Sequence, residues 1–164
     1  MLKSYLVCLV ALGEIVGVYG GHLPKEYRSK FSVCVEVADA AIRQGVDVYL
    51  TVAVAREESA FTNPTEGKAK GPLQIIPAYH CPDADGVVRR SSNKGVSRTC
   101  DLVTEGVLTL EYFLSKYSTE AEALCHYNSG TVCLPGGRQY SRRVLKYRRY
   151  IRAMVTEVPY ECDY

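Results

Sequence analysis

The chain has 164 residues and a formal net charge of +2, which is one domain's length with room for a proper core. A balance so even calls for no nucleic-acid partner. The exception is local, because Arg138, Arg142, Arg143, Lys146, Arg148, Arg149 and Arg152 crowd one acid-free segment, which reads as a solvated helix face or as an anion-binding surface.

Residues 1–20 carry a lysine near the start, an apolar stretch and small residues at the end, the pattern of a secretory signal cleaved near Gly20. Glu14 lies inside that run and argues against a spanning helix, which leaves an amphipathic N-terminal helix as the alternative. Residues 21–164 then make up the remaining single domain. Cysteine usage supports export: without Cys8 there remain Cys34, Cys81, Cys100, Cys125, Cys133 and Cys162, an even number of the kind a disulfide framework uses. The dipeptides His80-Cys81 and Cys125-His126 have neither Cys-x-x-Cys nor His-x-x-x-His spacing, so neither a metal nor another cofactor is expected.

A first helix is expected from about Glu26 to Gln44, with Phe31, Cys34, Ala38, Ala41 and Ile42 close to helical spacing and Gly45 as its stop. The next stretch, Asp47 to Ser59, organises the chain. Val48 to Ala55 is apolar except for Thr51, and Asp47 is a capping residue, so the run reads as a buried helix with a valine-rich core strand as the rival. Beyond Ala55 the sequence turns polar, which puts Glu58 where a core helix runs out, near the negative end of its dipole and close to apolar packing. Both effects disfavour the ionised carboxylate, and a carboxyl that keeps its proton near neutral pH can serve as a general acid. A surface glutamate in an Arg-Glu-Glu cluster is the rival reading.

Thr62 to Gly71 is polar and turn-rich. Gly71 to Pro77, short and apolar between prolines, reads as an extended wall carrying one polar side chain, Gln74. Pro82 to Thr99 has loop composition and an unusual length, and the flanking cysteines, bonded as Cys81–Cys100, would keep it ordered. Asp101 caps an amphipathic helix with Val103, Val107, Leu110, Leu114 and Tyr117 on one stripe. Thr119 and Glu122 form a capping box for a short helix through Leu124 that ends at Asn128-Ser129-Gly130. Cys125 and Cys133 flank that end and form the next expected pair, leaving Cys34 with Cys162. After a Pro135-Gly136-Gly137 turn, a last helix places Tyr140, Val144, Tyr147, Ile151 and Met154 on one stripe. With no strand pattern of any length and no internal repeat, the class is all-α.

Four motifs thus stand in order: Glu58-Ser59-Ala60-Phe61, Gly71-Pro72-Leu73-Gln74-Ile75, Tyr127-Asn128-Ser129-Gly130, and Tyr140 with Val144 and Tyr147. Together they resemble the lytic transglycosylases of the soluble-transglycosylase, goose-lysozyme-like family, whose pattern is Glu-Ser-x-Phe, Gly-Leu-Met-Gln-Ile, Ala-Tyr-Asn-x-Gly and a final Tyr-x-x-x-Val helix. The likeness runs from about Val35 to Met154, and Pro72 and Leu73 depart from the Leu-Met pair. It implies a lysozyme-like fold and a single catalytic acid and base, Glu58, acting on the β-1,4 bond between N-acetylmuramic acid and N-acetylglucosamine in peptidoglycan, with a 1,6-anhydro product. It also implies that Ser59 and Gln74 contact sugar, that Tyr127 and Asn128 line the cleft, and that Tyr140 orients the catalytic carboxyl. The partners it implies are glycan strands met by a monomer in the periplasm or cell envelope, or on a phage particle or secretion machine.

Two other readings compete. A hydrolytic lysozyme acting on the same bond needs a second carboxylate or a positioned water, for which Asp83, Asp85, Asp101 and Glu105 are the candidates. A non-catalytic glycan-binding or virion structural protein would have no need of the acid, and the joint presence of Glu58, Gln74, Tyr127 and Asn128 speaks against it.

Overall fold

The computed structural model describes residues 2–12, 25–81 and 100–157. Within them the chain is all-α, with α1 (Leu2–Ala11), α2 (Lys25–Gln44), α3 (Val48–Ser59), α4 (Pro77–His80), α5 (Leu102–Lys116), α6 (Glu120–Ser129) and α7 (Pro135–Glu157). The β-type pairing among them is one isolated bridge between Lys70 and Ile75. The Gly20–Pro24 linker, the Pro82–Thr99 loop with Asp83 and Asp85, and Cys162 lie outside the described residues.

The core is built around α3. Leu50 through Ala55 are fully buried in succession, because α1, α2 and α7 all pack on this helix. Its start explains why a valine-rich run becomes a helix and not a strand. The Asp47 carboxylate accepts from the backbone N–H of Tyr49 at 2.9 Å and of Leu50 at 3.2 Å, satisfying amides that a helix N-terminus leaves unpaired. Thr51 can be buried because its hydroxyl donates to Asp47 O at 2.9 Å. At the far end, Ala60 and Phe61 take left-handed φ values of 50° and 60°, and Phe61 dives back into the core. The chain therefore turns sharply right after Glu58 and Ser59.

Gly45 ends α2 as expected, with φ at 71° and the Val46 amide closing onto Ala41 O at 2.9 Å. Cys34, Val37, Ala38, Ala40 and Ala41 form its buried face. Ile42, expected on that face, is exposed. Asp101 caps α5 through the amides of Val103 and Thr104, and the Thr119 hydroxyl accepts from the Glu122 amide at 3.1 Å to cap α6. The last helix starts earlier than expected. Leu134 O already accepts from Arg138 N at 3.1 Å, so Pro135, Gly136 and Gly137 form the first turn of α7 and not a loop before it; proline suits the first helical position, where no N–H is needed. The buried stripe of α7 is Tyr140, Val144, Ile151 and Val155, while Met154 is exposed, since one helical step of four carries Ile151 to Val155.

Three disulfides are formed among the described residues, Cys8–Cys34, Cys81–Cys100 and Cys125–Cys133, with Cα separations of 5.8, 5.7 and 5.4 Å. The second and third are the expected pairs, and such usage belongs to an oxidising compartment. The expected Cys34–Cys162 bond is replaced by Cys8–Cys34. The reason lies in α1, which packs against α2, α3 and α7, buries Val7, Cys8, Val10 and Ala11, and is tied further by hydrogen bonds from Ser4 to Asp39 and from the Tyr147 hydroxyl to Ala11 O. Peptide mapping without reduction should therefore yield a fragment joining Cys8 to Cys34; a Cys34–Cys162 fragment would contradict this packing. No helix among the described residues is long and apolar enough to cross a membrane.

The basic segment of α7 is partly structural. Arg148 bridges Asp47 and Glu120 at 2.5 Å each, tying α7 to the N-terminal ends of α3 and α6. Arg143 pairs with Glu57 at 2.8 Å.

Candidate active site

Glu58 is the penultimate residue of α3. Burial pushes its carboxyl from the ordinary 4.5 up to about 7, the Tyr140 phenol pulls it back down, and the neighbouring Glu57 charge adds a smaller upward push. Desolvation is thus the main cause: Glu58 is half-buried, at the point where the fully buried run of α3 gives way to solvent. Two phenols share this environment. Burial, then the charge on Glu58, push the hydroxyls of Tyr127 and Tyr140 far above their ordinary range, so both keep their protons and can only act as neutral hydrogen-bonding groups.

The two tyrosines are held differently. Tyr127 on α6 donates to Leu73 O at 2.6 Å, which locks its ring against the wall segment. Tyr140 on α7 faces the Glu58 carboxyl, yet its hydroxyl oxygen is buried with no closed hydrogen bond. A buried hydroxyl this close to a carboxyl favours the carboxyl's ionised form, which is why the phenol lowers the Glu58 pKa although no hydrogen bond of normal geometry is closed.

The wall itself is not extended. Lys70 and Ile75 exchange both backbone hydrogen bonds, at 2.8 and 3.0 Å, around a tight turn from Gly71 to Gln74. Gln74 has φ at 50°, and its side-chain amide donates to Gly71 O at 2.9 Å. The turn packs Leu73 directly onto α5, where a Cβ on Gly106 would come within 2.8 Å of the Leu73 Cβ. A residue without a side chain at 106 is what lets the wall approach this closely.

Beside this cluster lies a groove of about 540 Å3, walled by Gln74 to Ile76, by Tyr79 and His80 of α4, by the Thr109, Tyr112, Phe113 and Lys116 face of α5 with Tyr117, and by Tyr127 to Thr131. Of the residues expected from sequence, Gln74, Tyr127 and Asn128 line this groove together. Glu58 and Tyr140 are not among its lining residues; they meet it through Tyr127, whose phenol is coupled electrostatically to both. Ser59 is not brought to it either: its hydroxyl donates back to Ala55 O at 3.2 Å, a helix-terminal bond.

The aromatic face of α5 escaped the sequence reading, which assigned that helix a single buried stripe. Phe113 meets Tyr127 edge-to-face at 5.6 Å, and Tyr117 stacks on His126 at 4.1 Å with the planes nearly parallel. The signal was there in Thr109, Tyr112, Phe113 and Lys116, spaced three, four and seven apart, a second helical face that is aromatic without being fully buried.

Some of the residues considered for other chemistries are engaged elsewhere. Cys81 and Cys125 are disulfide-bonded and are therefore not thiolate metal ligands. Burial works to raise the Asp101 carboxyl, but hydrogen bonds from the Thr104 hydroxyl and amide and the Val103 amide hold it below its ordinary value. It serves as a helix cap. No known protein family, curated protein or solved structure matches the chain.

Proposed function

We propose that the chain is a lytic transglycosylase with a lysozyme-like fold, cleaving the β-1,4 bond between N-acetylmuramic acid and N-acetylglucosamine in peptidoglycan. The observation that carries this reading is Glu58: a carboxyl pushed to about 7 by burial, flanked by two protonated phenols, next to a groove lined by aromatic rings and amides. Such a groove suits the apolar faces and N-acetyl groups of amino sugars.

In this reading Glu58, protonated, gives its proton to the glycosidic oxygen as the bond from that oxygen to the anomeric carbon breaks. The now ionised carboxylate takes the proton from the muramyl C6 hydroxyl as that oxygen bonds to the anomeric carbon. The proton returns to Glu58, the product carries a 1,6-anhydro ring, and no water is consumed. One carboxyl then performs both steps, where the ordinary glycosidase arrangement needs a pair. The engagement of Asp101 as a helix cap removes one of the four carboxylates considered for hydrolysis, and the product distinguishes the two reactions. Digestion of purified peptidoglycan followed by mass measurement tests it: anhydro products are one water lighter than hydrolytic ones. Hydrolytic products alone would replace this reading with a lysozyme, and an undigested wall would remove the enzyme altogether.

A change at Tyr140 has a distinct signature. Tyr140→Phe removes no closed hydrogen bond, so stability should move by less than about 1 kcal/mol. The phenol lowers the Glu58 pKa, so its removal should raise that pKa and carry the alkaline limb of the activity profile to higher pH. A limb that moves downward, or a large loss of melting temperature, would make Tyr140 a packing residue.

A further inference from the structure

The groove has an uneven charge. Among its described lining residues there is no aspartate or glutamate, while the Lys116 ammonium faces it. The Lys116 ammonium sits 5.4 Å from the ring centre of Tyr112 and 5.6 Å from that of Tyr117, so two lining rings hold it at the groove edge. It makes no ion pair with a described acid, whereas Arg143 and Arg148 do. Its place in the last turn of α5 favours the helix dipole. Tyr112 lies one helical turn before Lys116 and Tyr117 directly after it, so local geometry brings the rings to the ammonium; what it leaves unanswered is the charge, for which the groove's described lining holds no counter-ion. Interaction with the Tyr112 phenol further holds the ammonium's pKa above its ordinary value.

We propose that Lys116 makes the groove selective for glycans bearing a carboxylate, by pairing its ammonium with that carboxylate while the sugar ring lies against the aromatic face of α5. The inference rests on reading the groove as a glycan site, and it adds that neutral amino-sugar chains are the poorer ligands. On a peptidoglycan strand such a carboxylate has two sources, the lactyl acid of a bare muramic residue or the terminal acid of an attached peptide.

The test measures dissociation constants by calorimetry in the Glu58→Gln background, so that nothing is cleaved. Three tetrasaccharides of alternating N-acetylglucosamine and N-acetylmuramic acid are compared: one with free lactyl carboxylates, one with each lactyl group capped as the neutral methylamide, and one with each joined to a dipeptide ending in a free carboxylate. The expected result is that a carboxylate-bearing ligand binds roughly threefold to fivefold tighter than the methylamide at low salt, the size of a solvent-exposed ion pair. Which of the two acids shows the preference identifies its source. Added salt should erase the difference, Lys116→Met should erase it, and Lys116→Arg should keep it. Equal binding of all three ligands, or a preference that survives in Lys116→Met, overturns the selectivity while leaving the glycan groove standing. Failure of all three to bind overturns both.

Discussion

Glu58→Gln is expected to abolish wall cleavage and, above neutral pH, to make the protein more stable. The loss follows from removing the proton donor, which costs roughly 10² to 10⁴ in rate for a general acid, and more where the same group acts as base. The gain follows from linkage. The folded-state pKa of about 7 lies above the ordinary 4.5, so between these values the folded protein holds a proton that the unfolded chain has released. Stability therefore falls as pH rises through that window, and the penalty is complete above it. The gap corresponds to about 3 kcal/mol when fully developed. Glutamine has nearly the same shape and no charge to desolvate, so the variant escapes the penalty. Urea unfolding at pH 4 and pH 8 should show the two proteins alike at the lower pH and the variant more stable at the higher. Glu57→Gln provides the contrast: it breaks a pair whose Arg143 side is mostly exposed, worth about 1 kcal/mol, and keeps the acid. No stabilisation of Glu58→Gln at pH 8 would mean that Glu58 is solvated, and a solvated glutamate has no reason to hold a proton.

The sequence revealed those parts of the structure whose causes are local. Caps at Asp47, Asp101 and Thr119, and the stop at Gly45, depend on a side chain or a φ angle acting within four residues, and each acts as its residue type predicts. The Cys81–Cys100 and Cys125–Cys133 bonds close short segments and were legible for the same reason. What escaped needed partners far along the chain. Cys34 meets Cys8 because α1 lies across α2, which no spacing encodes. The wall reads as extended because prolines bracket it, yet the Lys70–Ile75 pairing folds it into a turn that presses on Gly106. At the site, Glu58 was identifiable from the end of an apolar run, whereas the groove depends on an α5 face whose aromatic residues act only once Tyr127 and the wall arrive beside them.

Gly137→Ala is expected to damage both stability and the groove, whereas Gly136→Ala, one position away, should not. Both glycines lie in the first turn of α7, and sequence alone treats them as equal helix-weakening residues. Their surroundings differ sharply. A Cβ at 136 would meet nothing within 4 Å, but one at 137 would fall 2.1 Å from Ser129 Oγ, 2.8 Å from Cys125 O and 2.9 Å from Cys125 Sγ. The serine hydroxyl could rotate away. The Cys125 carbonyl is backbone and its sulfur is bonded to Cys133, so neither can yield without moving α6 away from α7. Overpacking of this kind costs about 1–3 kcal/mol, while Gly136→Ala should gain up to about 1 kcal/mol of helix propensity. The displaced helix carries Tyr127, Asn128 and Ser129 on the groove wall, so Gly137→Ala should also weaken glycan binding at temperatures where it remains folded. Urea midpoints and calorimetric titration with the carboxylate-bearing tetrasaccharide, run on both variants, check the two halves separately. Equal midpoints would show that α6 and α7 are not in contact at Gly137, and a lowered midpoint with unchanged binding would detach the groove from the α6–α7 packing that holds its far wall.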